Sequence, residues 1–173
     1  MATFWQPATG PQLAQGDLLP DCLVPIIPAT FGPQSRTTDL TIHTVDLVTV
    51  TQTCDLARAA SGLVALCPIH SLAAFEAVNP AFAKKGAWEE VRKGRREGLH
   101  LLASPTDPAN GRAALLVDFR EIYSLPVEYL SRHAAALGPR WRLDPPYLEH
   151  FSQAFARFFM RVGLPSAVPP ITG

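Results

Sequence analysis

Two groups of side chains able to do chemistry stand at the ends of two apolar runs. Val45-Asp46-Leu47-Val48-Thr49-Val50-Thr51 opens into Gln52-Thr53-Cys54-Asp55-Leu56, and Leu63-Val64-Ala65-Leu66-Cys67 ends in Pro68-Ile69-His70-Ser71. Strand ends are where a rigid scaffold presents functional groups. His70 is a candidate general acid or base, because an imidazole titrates at about 6.5. Its plainer reading is a strand-end ring that caps a backbone carbonyl. Cys54 is a candidate nucleophile if its thiol is activated, although Asp55 beside it opposes ionisation. The alternative is a small residue in a turn, with Gln52 before it and Asp55 capping the stretch Leu56–Ala60. Cys67 and His70 form a Cys-x-x-His pair that, joined to Cys54 and Asp55, has the donor types of a zinc site. The two tight pairs usual in structural zinc sites are absent.

A second chemical region is the charged run Phe82–Gly98, where Lys84, Lys85, Arg92, Lys93, Arg95 and Arg96 outnumber Glu89, Glu90 and Glu97. Read as a binding face, Arg92, Lys93, Arg95 and Arg96 grip phosphates while Trp88 stacks on a base. Read as a solvated helix face, Glu89 pairs with Lys85 and Lys93 at four-residue spacing. Arg140-Trp141-Arg142 supplies residue types enriched at interfaces, with Trp141 as the anchor candidate. No Gly-x-Ser-x-Gly elbow and no phosphate-cradling glycine loop occurs in the sequence.

These side chains need a scaffold of short strands. Leu18–Ile27 reads as an edge or bent strand, because Pro20 and Pro25 cannot donate to a ladder. Asp39–Gln52 is rich in β-branched residues, and Gly62–Cys67, Leu99–Ala103, Arg112–Phe119 and Glu121–Ser124 follow as further strands. Helices are predicted over Leu72–Val78, Phe82–Gly98, Pro126–Ala136 and Tyr147–Val162. The last carries Phe151, Phe155, Phe158 and Phe159 on one apolar stripe. Strands and helices do not alternate as a parallel sheet requires. The expected fold is therefore α+β and mainly β: a small closed barrel with an inserted helix and a packed C-terminal helix. The chain is divided into an arm (1–15), a barrel with its helical insertion near 72–98 (16–136), and a C-terminal aromatic helix with its tail (137–173).

Composition narrows the classes. The 173 residues suit one domain, 47% are hydrophobic, and 15 basic residues balance 15 acidic ones. A neutral chain disfavours holding long nucleic acid by phosphate contacts alone and favours association with another subunit or with itself. RNA or DNA binding is then expected only locally, along Lys84–Arg96. The three cysteines show no disulfide framework, which predicts reduced thiols in a cytoplasmic protein. No signal peptide or membrane span is apparent.

The order of segments resembles the MazF/PemK toxin family. The resemblance is carried by Gly16-Asp17-Leu18, Val48-Thr49-Val50-Thr51-Gln52 with Asp55, Leu63–Pro68-Ile69, and Ala114–Ile122 followed by a short helix. It implies an SH3-like barrel finished by a C-terminal helix, an endoribonuclease activity, and a bacterial toxin–antitoxin or antiviral-defence setting. The family's chemistry uses an arginine just before the second strand and a threonine after a Pro-Ile pair. Here those positions are Asp46 and His70-Ser71, with Arg36 the nearest basic residue in the preceding loop. A carboxylate has the wrong sign to stabilise a developing phosphorane. Three expectations follow: a non-catalytic binding or assembly subunit on a MazF-like barrel; an endoribonuclease using His70 with Ser71, Arg36 or Arg120; or a thiol or zinc site at Cys54, Cys67 and His70. The first two call for no cofactor.

Overall fold

A computed structural model of the chain describes residues 3–57 and 62–160. In chain order it holds β1 (Trp5–Ala8), β2 (Leu18–Ile26), β3 (Thr41–Thr49), α1 (Thr53–Leu56), β4 (Leu63–Ser71), α2 (Leu72–Val78) and α3 (Ala87–Arg92). These are followed by β5 (Leu99–Leu102), β6 (Leu115–Asp118), β7 (Tyr123–Pro126), α4 (Val127–Leu137), β8 (Arg140–Leu143) and α5 (Tyr147–Phe159). Every ladder is antiparallel, so the α+β expectation holds.

β4 is the hub. Its first half pairs with β7, its middle with β3 and its last three residues with β6. A strand that serves three neighbours must bend, and the bend curls the sheet β2-β3-β4-β6-β5 into a barrel-like shell. β8 carries the path onward: Leu143 donates its N–H to the Gly16 carbonyl, Asp17 bridges Arg142, and β1 lies on β8. The ladder does not close on itself as expected. Just past the end of short β5, the Trp5 indole of β1 donates to the Ala103 carbonyl at 2.8 Å. One side chain completes the ring.

Three expected boundaries change. The N-terminal arm is largely structural, because Trp5–Ala8 gains a ladder from β8 and Trp5 is buried. The helix foreseen over Phe82–Gly98 shrinks to α3, with a 3-10 turn over Pro80–Ala83 before it. Gly86 and Gly94 adopt positive φ on either side of α3, a conformation that ends a helix. Arg140–Leu143 precedes the last helix as a strand, since β1 and the segment before β2 offer it partners. The end of the predicted last helix, Val162, and positions 58–60 of the stretch after Asp55 lie outside the described residues.

The sheet is buried on both faces. Val48, Cys67, Val117 and Phe119 point toward α5 and pack on Phe151, whereas Leu47, Val64 and Leu66 point toward α4 and pack on Leu130 and Ala134. A strand covered on both sides reads as a continuous apolar run, and this explains the unbroken hydrophobicity of β4. A third cluster joins Phe75, Val91 and Leu116 under α2 and α3. Gly98 lies where β5 leaves the α3 region, at φ +78°; a Cβ there would meet Arg120 Cγ at 2.7 Å and Phe158 Cε2 at 3.0 Å. Among the described residues no helix is long and apolar enough to cross a membrane.

Candidate nucleic-acid interface

The two strand-end groups do not assemble into one site. Ser71 caps α2, its hydroxyl accepting from the Ala74 N–H at 3.1 Å, which commits the side chain to the helix start. His70 leans on Phe75, ring centroids 5.8 Å apart, and stands opposite Leu116 in the β4–β6 ladder. Arg120 lies beyond the end of β6, in the turn after Asp118. It is gripped by Asp118 through Nε and Nη2. Arg36 sits in the turn between β2 and β3, its backbone N–H donating to Asp39. Among the described residues no bond or ion pair joins His70, Arg36 and Arg120. Asp46, at the position the resemblance assigns to an arginine, accepts from the Asp21 N–H at 2.9 Å and clamps the β2 bulge.

The thiol and zinc reading also separates. Cys54 is exposed on α1, with Gln52 Oε1 3.7 Å and Asp55 Oδ1 3.8 Å from its sulfur. Cys67 is buried in the core, where desolvation and then the Asp118 charge push its thiol up to about 12. Cys67 and His70, three apart on one strand, point to opposite faces. Among the described residues no His/Cys/Asp/Glu group of three or more is placed to hold a metal.

Much of the basic run is engaged within the fold. Trp88 donates its indole N–H to Glu76 at 2.7 Å and packs against Phe75 and Phe82, so it pins α3 to α2 rather than offering a free ring. Glu76 also accepts both ends of the Arg112 fork; these bonds, from Arg112 first and Trp88 second, hold its carboxyl down to about 2. Arg95 pairs with Glu90 at 3.1 Å, while Arg92 and Lys93 share Glu89. Arg96 lies over the Phe82 ring at 5.9 Å. Trp141 is half-exposed on β8, beside a small crevice formed with Pro20 and Pro139 and away from the basic run.

Where the end of that run meets α5, a groove of about 390 Å³ opens. Arg92, Lys93 and Arg96 line one wall, and His150, Gln153 and Arg157 of α5 line the other. Gly98–Leu101, Phe119 and Phe158 also line it, and Glu97 is its one acidic residue. The cationic side chains are exposed, whereas His100 is partly buried, its ring nearly parallel to Phe119 at 5.9 Å. Desolvation, followed by the nearby charges of His150 and Arg157, lowers His100 to about 4, so it is neutral at physiological pH. A neutral imidazole offers one donor and one acceptor.

The groove also contains an open strand edge. Phe119 donates its N–H to the Gly98 carbonyl, which fixes the alternation of the β5–β6 ladder. Residues 98, 100 and 102 bond β6, so the N–H and C=O of Leu101 point away from it. Neither Leu101 group bonds another described residue. No single-residue signal in the sequence marked this place: His100, His150 and Arg157 are far apart in the chain. The helical stripe of Tyr147–Val162 could have shown that His150 and Arg157 share a helix face, since seven residues are close to two turns.

No protein-family model matches this chain, and no curated protein matches it.

Proposed function

We propose that the protein is a binding module that holds single-stranded RNA in the groove between α5 and the segment Val91–Leu101, on a barrel of MazF/PemK type. The observation that carries this reading is the lining: Arg96 and Arg157, with Arg92 and Lys93 that share Glu89, stand exposed against one lining acid, over an aromatic floor with an open strand edge. Phosphates are drawn by the cations and bases by the ring and edge surfaces, the combination that single-strand binders use. The neutral net charge fits, because the positive field is local. The α+β barrel-like fold supports the kinship, and the carboxylate at Asp46 supports binding without that family's cleavage route. Assembly with further subunits of a toxin-type or defence system belongs to the same reading.

The test is fluorescence anisotropy of a short labelled single-stranded RNA against the wild type and an Arg96→Ala/Arg157→Ala double variant. Loss of about tenfold in affinity, with a salt slope shallower by roughly two phosphate contacts, is the expected result. Wild-type protein that leaves the RNA tumbling freely at low salt removes the proposal.

A second reading is favoured by one observation, the neutral His100 beside His150 and Arg157. It keeps the ribonuclease expectation and moves the acid–base role from His70 to His100. RNA incubated with wild type, His70→Ala and His100→Ala distinguishes the two histidines. Intact RNA in all three leaves the binding module alone.

A further inference from the structure

The groove is layered by depth. Its charges are outside, on Arg96, Lys93 and Arg157, and its floor is uncharged: Leu99, neutral His100, Leu101 and Phe119. A phosphodiester has no partner on that floor, because desolvating an anion there gains no compensating charge. A nucleobase has. It is flat and apolar on its faces, and its rim carries adjacent donor and acceptor atoms.

The open edge of β5 supplies the matching pair. The N–H and C=O of Leu101, a residue of the groove lining, project together from the edge of β5 that faces away from β6, without a bond to another described residue. An accessible strand edge is a template for any planar group that brings a donor beside an acceptor. The volume, about 390 Å³, falls within the range of small-molecule sites, roughly 300–1,000 Å³, and so has room for one nucleotide rather than a duplex.

We infer that the floor of the groove is a nucleobase subsite: one base enters first, its polar edge bonding the Leu101 backbone and its face against the His100 and Phe158 side, while the flanking phosphates stay on Arg96, Lys93 and Arg157. The inference rests on the reading of the groove as an RNA site and adds to it where the base goes. Because the contact is made by backbone, every base satisfies it in some orientation. Recognition is therefore for the presence of a base, with modest preference among bases.

Five probes separate the outcomes on the full chain: a short single-stranded RNA, the same ribose-phosphate chain lacking its bases, adenosine 5′-monophosphate, ribose 5-phosphate and inorganic phosphate. The subsite predicts that the abasic chain binds about tenfold or more weakly than the RNA at equal salt, consistent with base stacking worth ~1–3 kcal/mol. Both chains should show the same salt slope. In an amide NMR titration with adenosine 5′-monophosphate, the Leu101 N–H should move, whereas ribose 5-phosphate and inorganic phosphate should leave it in place. Equal affinity for RNA and abasic chain overturns the subsite while leaving the RNA groove standing. Binding of neither chain overturns both. A Leu101 amide that ignores the nucleotide, or responds equally to ribose 5-phosphate, also overturns the subsite.

Discussion

Two arginine-rich places in this molecule look alike in sequence and differ in what the fold does with them. At the base of the barrel, Arg140 and Arg142 both reach the Asp17 carboxylate, and Arg140 also donates to the carbonyls of Gly10 and Gln12. Asp17 is fully buried and Arg140 is 4% exposed. At the other place, Arg96 and Arg157 border an open groove with a single acid in its lining. The first cluster is saturated by the chain itself and acts as architecture. In the second, neither Arg96 nor Arg157 has a hydrogen bond or ion pair to another described residue, and Arg96 lies over the Phe82 ring. A run of basic residues therefore says little until each guanidinium is assigned its acceptors.

The contrast can be broken most sharply at Asp17. Asp17→Ala leaves two arginines, one of them buried, without their counter-charge, and urea denaturation should report a loss of about 3–5 kcal/mol. The matching Arg157→Ala change should stay within about 0.5 kcal/mol of wild type, as exposed sites do. Equal losses at both positions would erase the distinction.

Acid provides the next largest effect. His100 is lowered to about 4 in the folded chain, so between pH 6.5 and 4 the unfolded chain binds its proton first. Stability contributed by the neutral imidazole is full above about 6.5 and is lost as pH falls toward 4, by on the order of 2–3 kcal/mol. A His100→Gln variant should show a flatter acid limb in thermal melts, and an unchanged limb would place the sensitivity elsewhere. Gly98→Ala combines a positive φ with the close approach of Arg120 and Phe158. It should cost roughly 1–3 kcal/mol and also weaken the proposed RNA binding, because the Phe158 side of α5 must shift at the groove wall. Cysteine labelling gives the smallest effect on stability. A thiol reagent should modify Cys54 in native protein with melting unchanged, and spare Cys22 and Cys67, which burial keeps un-ionised at a pKa of about 12.

The strands were legible wherever β-branched and apolar residues ran together, as in Thr41–Thr49, Leu63–Ser71 and Leu115–Asp118. Those segments carry their own propensity and their own burial. β1 and β8 were not, because Trp5-Gln6-Pro7-Ala8 and Arg140-Trp141-Arg142-Leu143 have no strand character until each meets the other across the chain. The candidate site was half visible. Arg92, Lys93 and Arg96 were marked by charge density. His100, His150 and Arg157 join them only through the packing of α5 on β5, and an isolated histidine in a sequence carries no sign of its neighbours. His70 drew attention for its place at a strand end, yet Ser71 beside it is spent on a helix cap and Arg120, after β6, on Asp118.

The ring of strands is locked by bonds between its extremes. Arg140 reaches Gly10 across 130 residues of sequence, and Trp5 reaches Ala103 across 98. During synthesis, at roughly 5–20 residues per second, β1 would wait on the order of ten seconds for its partner strand to be made. In that interval the apolar ends of β2 and β3 face the cell without their seal. Aggregation and chaperone capture should therefore concentrate in chains stalled before Arg140, a vulnerability set by the order of assembly rather than by the strength of the finished shell.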